Sequence, residues 1–326
     1  MRRVLVTGGA GFIGLSLARA LSFDGIAVDL VDNFSRGKSD AELAAVTARP
    51  GVRCLTLDLR REGATDALDD NYDAIFHFAA LLGVANVIGR PYETLALNVQ
   101  LTVEALRLAR RQKRLSCFLF ASTSEVYAGS LLAGHLRFPT PEDAILSLPP
   151  LVEPRTSYML SKLYGEALVR HAGVPGVIVR PHNVYGPRMG LEHVIPELMK
   201  RMRTASPGAA LPIYSADHSR TFCYIDDAVA LIRALAGNPD AEGGAWNVGC
   251  EEPEYKILDV AELIRRVLGA PAVLEPAAAT AGSPTRRCPS MARTRALTGY
   301  QCAVSLEDGV ARTYDWYART VFSVEG

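Results

Sequence analysis

Apolar positions in this chain gather into short runs with helical periods between them. Val4-Leu5-Val6 is apolar at consecutive positions and stops at glycines, and 14–21 then carries an apolar stripe at helical spacing. Ala27-Val28-Asp29-Leu30-Val31 is the next run and closes on Asp32, with further runs at 52–57, 74–78, 117–121 and 177–179. Runs of strand length that do not alternate are buried on both faces, and the clearest helical periods between them lie at 92–111 and 158–171. The alternation predicts an α/β Rossmann architecture, a doubly wound parallel sheet with helices on both sides.

From about Arg188 the alternation fades. The expected division is a first domain over 1–187 and a smaller C-terminal substrate-binding lobe over 188–326, some of whose segments return to the first domain. Two stretches break the rhythm. Residues 129–154 carry five prolines and read as a long loop near the mouth of the site, and residues 271–290, rich in Ala, Pro and Ser, read as a loop crossing a cleft. There is no internal repeat.

Composition narrows the class. With 326 residues and 49% apolar content, the chain can build a full core. Lys+Arg and Asp+Glu balance at 35 each, which argues against a nucleic-acid or membrane-surface partner. The six cysteines are scattered with no CxxC, and read as reduced thiols rather than a disulfide frame or a metal site. Arg2-Arg3 and the apolar run after them imitate a signal peptide, but Thr7-Gly8-Gly9 interrupts too early for one, and no membrane-length apolar stretch follows. The expectation is a cytoplasmic protein.

Gly8, Gly11 and Gly14 follow the first strand and open the first helix. That spacing permits a tight turn, close backbone approach and a helix N-terminus aimed at a pyrophosphate, so it reads as a dinucleotide cradle; a plain tight turn is the bland alternative. Asp32, ending the second strand, would accept the adenosine ribose hydroxyls and repel a 2′-phosphate, favouring NAD over NADP, with Arg36 nearby as a counterweight. Asp58 ends the third strand and reads either as an adenine contact or as a helix cap. His77, on an apolar strand, reads as a buried structural histidine beside the cofactor.

Tyr158 and Lys162 are four residues apart and share a helix face. A tyrosine is a poor base at neutral pH, with a pKa of about 10. A neighbouring ammonium and a cationic nicotinamide ring would favour the phenolate. A surface pair is the bland reading. Against it, the strand 117–121 ends in Ser122-Thr123-Ser124, where a hydroxyl can hydrogen-bond the reacting oxygen opposite Tyr158.

The ordered motifs TGGAGFIG (7–14), Asp32-Asn33, FHFAA (76–80), Asn98 in LNVQLT, STSEVY (122–127), YMLSK (158–162), RPHNVYGP (180–187), RTFCYIDD (220–227) and Asn247-Val248-Gly249 resemble the extended short-chain dehydrogenase/reductases, specifically the NAD-dependent nucleotide-sugar epimerase/dehydratase family, along nearly the whole chain. The resemblance implies a retained NAD that oxidises carbon 4 of a sugar nucleotide and later returns the hydride. It places Phe12, Ile13, Asn33, Leu59, Ala79, Ala80 and Asn98 with the glycines in the cofactor site. It puts Asn183, Arg220 and Arg287 on the substrate diphosphate, with Arg188 as a weaker candidate; arginine suits that task because its planar fork matches phosphate oxygens. Asp226-Asp227 reads as a helix cap. Leu211-Pro212-Ile213-Tyr214 would flank the base, for which uridine is the family's commonest choice.

Glu125 discriminates between reactions. Once carbon 4 is a ketone, the carbon 5 hydrogen is acidic and a nearby carboxylate can move it. Thr123-Ser124-Glu125 is similar to 4,6-dehydratases and UDP-glucuronate decarboxylases, whereas simple 4-epimerases carry a small or aliphatic residue at the Glu125 position. Many dehydratases place an acid where this chain has Ser124, and a decarboxylase needs none there. Arg287-Cys288-Pro289-Ser290 is similar to the arginine segment of bacterial decarboxylases. The order of expectation is therefore decarboxylase, then 4,6-dehydratase, then 4-epimerase, with a ribose-binding or capping Glu125 as the bland alternative. A non-catalytic NAD-sensing protein is the remote one, disfavoured by the intact proton relay. By the same resemblance, the helices at 92–111 and 158–171 would form a homodimer interface, and Leu101, Leu106 and Leu108 belong either there or to the core.

Overall fold

A computed structural model describes residues 1–280 and 283–323. The strands are β1 (Arg3–Thr7), β2 (Ala27–Asp32), β3 (Val52–Thr56), β4 (Ala74–His77), β5 (Cys117–Ala121), β6 (Gly176–Pro181), β7 (Val184–Tyr185), β8 (Ala210–Tyr214), β9 (Ser219–Arg220), β10 (Cys223–Tyr224), β11 (Ala245–Val248), β12 (Tyr255–Lys256), β13 (Val273–Ala277) and β14 (Arg286–Arg287). The helices are α1 (Phe12–Phe23), α2 (Ala41–Thr47), α3 (Val84–Gly89), α4 (Pro91–Arg110), α5 (Ala128–Leu132), α6 (Arg155–His171), α7 (Val194–Arg203), α8 (Ile225–Ala236), α9 (Ile257–Leu268), α10 (Ala292–Thr298) and α11 (Leu306–Thr320).

Seven strands make one parallel sheet in the order β11-β6-β5-β4-β1-β2-β3. Because successive side chains point to opposite faces, each strand feeds two cores. Val4, Val6, Val28, Leu30, Phe76, Leu119 and Val179 enter one; Leu5, Val31, Ile75, Phe118, Phe120 and Ile178 enter the other. Burial on both faces is why these strands read as unbroken apolar runs. Helix α4 starts with Pro91, whose missing N–H lies where a helix has no internal partner for it, and ends with Arg107 and Arg110 against its negative pole. Its Leu101, Leu106 and Leu108 are buried in the second core, so they serve the fold of one chain.

The strand order reverses between β1 and β4, and there the carboxyl ends of both strands open a crevice. β11, from the C-terminal part, closes the β6 edge of the sheet. The remaining C-terminal strands form small separate pairings, β8 with β13, β7 with β10, and β9 with β12 and β14.

The fold corrects several expectations. The stretch 271–290 is not loop throughout: β13 pairs in parallel with β8, and β14 pairs with β9. The stretch 129–154 holds α5 and packs behind the β14 segment, with Thr140 N–H donating to Cys288 O at 2.7 Å and Ser290 N–H to Thr140 O at 2.7 Å. Asp226 and Asp227 lie in the first turn of α8, but no side chain caps that helix. Asp227 instead accepts from Tyr300 Oη (2.6 Å), Ala303 N (2.9 Å) and Val304 N (3.1 Å), fastening a distant loop. The cysteines are not all free thiols, since Cys250 and Cys302 form a disulfide. Their 52-residue separation gave no spacing signal. Among the described residues no helix is long and apolar enough to cross a membrane.

Candidate active site

The crevice is a cleft of about 600 Å³ running from the glycine loop past Tyr158 to Arg287. Its floor is built by close approach. Gly8 has φ +66°, and a Cβ there would lie 2.8 Å from Ala79 N on the neighbouring β4 exit. A Cβ on Gly14 would collide with the Gly8 carbonyl oxygen. Helix α1 begins after Gly11 with no side-chain cap, and Gly11, Phe12, Ile13 and Gly14 line the cleft, so an uncapped helix N-terminus, favourable to an anion, borders it. These residues fit a dinucleotide.

Asp32 closes this end. Its carboxylate accepts from Ala10 N (3.0 Å) and Phe34 N (2.8 Å), which fixes its direction into the cleft it lines. Asn33, Arg36, Leu59, Ala79 and Ala80 line the same cleft. Asp58 does not: it accepts from Arg60 N at 3.1 Å and Arg60 Nε at 2.8 Å, and that arginine holds its carboxyl down at about 2. No helix begins at Asp58, so the cap reading does not hold either: the carboxylate fastens the turn after β3, in which Arg61 N–H donates to Asp58 O at 3.1 Å. Asn98 is also outside the lining. It is buried and grips the β4 exit, accepting from Leu81 N (2.6 Å) and donating to Leu81 O (2.9 Å) and Ser161 Oγ (3.2 Å), so it positions the loop that carries Ala79 and Ala80.

His77 is structural, as read. Its Nδ1 lies 2.8 Å from Thr7 Oγ1, its ring stacks with Phe118 and Phe120, and burial lowers it to about 3, so it is neutral.

At the other end, β5 delivers Ser122 and Thr123, and a tight turn follows. Thr123 Oγ1 caps that turn by accepting from Glu125 N at 3.2 Å, and the same hydroxyl hydrogen-bonds Tyr158. Burial pushes the Tyr158 phenol up to about 12, the Glu125 charge adds to the rise, and Thr123 opposes it. Lys162 is buried and lowered to about 8 by that burial, with Glu166 opposing. Its Nζ donates to Ala121 O at 2.7 Å and lies 5.9 Å from the centre of the Tyr158 ring. The lysine stands near the phenol without bonding to it, and a bound cationic cofactor ring would supply attraction that a phenolate needs.

Glu125 faces Arg287 in an ion pair. Arg287 comes first among the causes that lower this carboxyl, outweighing burial, with Arg155 and Arg220 adding to it. Arg287 and Arg220 sit side by side because β14 and β9 pair with Arg287 opposite Arg220. Burial, and then Arg287, lower Arg220 to about 10. Arg220 spends its donors on Ser219 O (2.7 Å), Ser283 Oγ (3.3 Å) and Pro284 O, and is not in the cleft lining. Asn183 lines the cleft at φ +42°, held by its amide donating to Thr221 O at 2.9 Å. Arg188 touches the cleft, but its fork is filled by Asp40 (2.9 Å), Ala10 O (3.0 Å) and Lys38 O (2.9 Å). It braces the glycine loop. Leu211–Tyr214, on β8, does not line the cleft.

Sequence reading missed a buried network behind the site. Glu166, one turn past Lys162, pairs with Arg180 at 2.7 Å, both almost fully buried, and accepts from Ser122 Oγ at 2.6 Å. Arg180 donates to Tyr127 Oη (2.8 Å), Tyr127 in turn donates to Asn247 Oδ1 (3.0 Å), and His182 Nε2 lies 3.0 Å from the same oxygen. The signal available was the third polar residue at four-residue spacing, Tyr158, Lys162, Glu166.

The sequence over residues 4–249 matches the NAD dependent epimerase/dehydratase family. The chain belongs to that family. A UDP-N-acetyl-alpha-D-glucosaminuronate decarboxylase of Bacillus cytotoxicus is 31% identical, covering 97% of this chain and 98% of its own. UDP-glucuronic acid decarboxylase 1 of Arabidopsis thaliana is 30% identical over 95% of this chain and 68% of its own. Among solved structures, the dTDP-glucose 4,6-dehydratase of Streptomyces venezuelae, determined with NAD bound, superposes with a TM-score of 0.83 at 29% identity, covering 98% of this chain and 97% of that one. The protein is thus an NAD-dependent enzyme of nucleotide-sugar modification.

Proposed function

We propose that this protein decarboxylates a UDP-hexuronate by way of a 4-keto sugar. The observation that carries the reading is the Glu125–Arg287 pair, set in one cleft with Thr123 and Tyr158. The two decarboxylase relatives, matched over nearly the whole of this chain, support it.

Bound NAD supplies hydride acceptance from carbon 4 and later its return. Tyr158 takes the proton of the carbon 4 hydroxyl, with Thr123 donating to the reacting oxygen and Lys162 keeping positive charge close by. Asp32 and the α1 N-terminus hold the dinucleotide. A carboxylate beta to the new ketone leaves as carbon dioxide, its electron pair passes into an enolate across carbons 4 and 5, and carbon 5 then gains a proton drawn from water; no acid is needed at Ser124. Glu125 governs the proton at carbon 5, and Arg287 and Asn183 hold the anionic parts of the substrate. Residues 1–187 mainly carry the cofactor and the proton relay, and 188–326 mainly the substrate. Dehydration at carbons 4 and 6 is the second reading, favoured by the likeness to the dTDP-glucose dehydratase.

The exposed apolar residues Tyr92, Val103 and Tyr164 on the outer faces of α4 and α6 support a homodimer through those helices. A cytoplasmic location belongs to the same reading, and the Cys250–Cys302 bond is the observation that pulls against it.

The test is incubation of purified enzyme with UDP-, dTDP- and GDP-sugars, UDP-glucuronate and its N-acetylated amino form among them, with products read by mass. Loss of carbon dioxide supports the proposal. Loss of water means the dehydratase. An unchanged mass with new stereochemistry means epimerisation, and then Glu125 has another role.

A further inference from the structure

Three cysteine sulfurs meet away from the cleft. Cys223 is on β10, Cys250 follows β11 and Cys302 lies on the loop before α11, and their Sγ atoms are all within 4.8 Å of one another. Cys250 and Cys302 are bonded, with Cα atoms 6.0 Å apart, and Cys223 keeps its thiol. Among the described residues no other set of His, Cys, Asp and Glu side chains converges this way.

Burial ranks the three. Cys223 is 0% exposed and Cys250 8%, while Cys302 is half-buried, so a solute reaches Cys302 first. The loop bearing Cys302 is held apart from its disulfide by the three bonds into Asp227. That anchoring keeps the Cys302 sulfur near Cys223 when the disulfide opens. A thiol held against a disulfide is the arrangement thiol–disulfide exchange requires. A metal ion suits the place less well. Three thiolates beside the Asp227 carboxylate would concentrate negative charge in a buried position, whereas a thiol and a disulfide are neutral.

We propose that Cys223, Cys250 and Cys302 form an exchange site that accepts a small external thiol at Cys302. The incoming thiolate attacks Cys302 Sγ and a mixed disulfide forms. The Cys250–Cys302 bond breaks, and Cys250 leaves with the electron pair and takes a proton from water. Cys223 then gives its proton to solvent and attacks the same Cys302 sulfur. A Cys223–Cys302 bond forms and the small thiol departs as thiolate. One disulfide is consumed and one is made, so no oxidant is needed, and the crosslink passes from Cys250 to Cys223. Burial, with Asp227 adding, pushes the Cys223 thiol well above its ordinary range, so the second step is slow and quickens as pH rises.

The test takes full-length protein purified without reductant, adds glutathione, quenches with acid, alkylates and maps peptides by mass. The expected series is a Cys250–Cys302 bond at the start, glutathione on Cys302, then a Cys223–Cys302 bond forming faster at higher pH. In Cys223→Ser the adduct on Cys302 should rise several-fold, since only Cys250 remains to remove it. If that variant does not fold, the peptide map of the unmutated protein decides alone. Isolated protein lacking the Cys250–Cys302 bond, first attachment at Cys250, or reduction with no Cys223–Cys302 peptide overturns the proposal. So does one metal ion per chain retained by the three cysteines in native mass spectrometry.

Discussion

Arg287 holds the Glu125 carboxylate across 162 residues of chain. A carboxylate paired this way stays ionised but is a weak base, because the arginine stabilises its charge. An anionic substrate that competes for the Arg287 fork would therefore release Glu125 at the moment the sugar arrives. Glu125→Gln keeps the shape and removes the carboxylate that governs proton delivery to carbon 5. The expected outcome is reduced cofactor appearing on substrate addition while product formation falls about 100-fold or more. Unchanged product formation would remove Glu125 from the carbon 5 chemistry.

Tyr158→Phe deletes the hydroxyl that takes the carbon 4 proton and leaves the glycine cradle untouched. Turnover should fall by about 10²–10⁴, with cofactor still bound to the purified variant. A rate above about a tenth of the unmutated enzyme's would mean that another group, with Thr123 the nearest candidate, carries the proton.

Gly14→Ala tests the cradle. The added methyl meets the Gly8 carbonyl oxygen, so the turn must open or α1 must shift, at a cost of about 1–3 kcal/mol. The loop would no longer fit a pyrophosphate, and NAD carried through gel filtration should drop at least about tenfold. Full cofactor content in a stable Gly14→Ala protein would place the dinucleotide elsewhere.

Much of this architecture was legible before any coordinates, for physical reasons that differ by element. β1, β2, β4 and β5 are buried on both faces, so Val4-Leu5-Val6 and Phe118-Leu119-Phe120 could be read as strands directly. β13 is an exposed pairing, mostly open to solvent and containing Pro276, so its composition looked like loop. Tyr158 and Lys162 could be found because one helix face brings them together. The meeting of Glu125 with Arg287 depends on β14 lying against β9, which no local pattern encodes. Arg188 shows the converse: it fits a phosphate by residue type, yet Asp40 and two carbonyls fill its fork. Glu166 was marked by its four-residue spacing from Lys162, but its partner Arg180 was hidden, because an ion pair between separate elements leaves no spacing to read.

Lys162 gives the last prediction, in which stability and activity move apart. Its ammonium is buried, and its value is lowered from 10.5 to about 8. Between those two values the unfolded chain keeps a proton that the folded protein has released. Stability therefore rises with pH across that window, and below it the charged lysine destabilises the fold by at most about 3 kcal/mol. Lys162→Met keeps the length of the side chain and removes the charge. At neutral pH the variant should be inactive and should melt higher, by the equivalent of about 1–2 kcal/mol once the lost bond to Ala121 O is counted. As pH rises through 8 towards 10.5 the unmutated protein sheds its buried charge, and the gap between the two melting temperatures should close. A gap that stays constant with pH would show that Lys162 is stabilised in its charged form, with Glu166 outweighing burial. Its role near Tyr158 would then be that of a fixed cation in the resting enzyme.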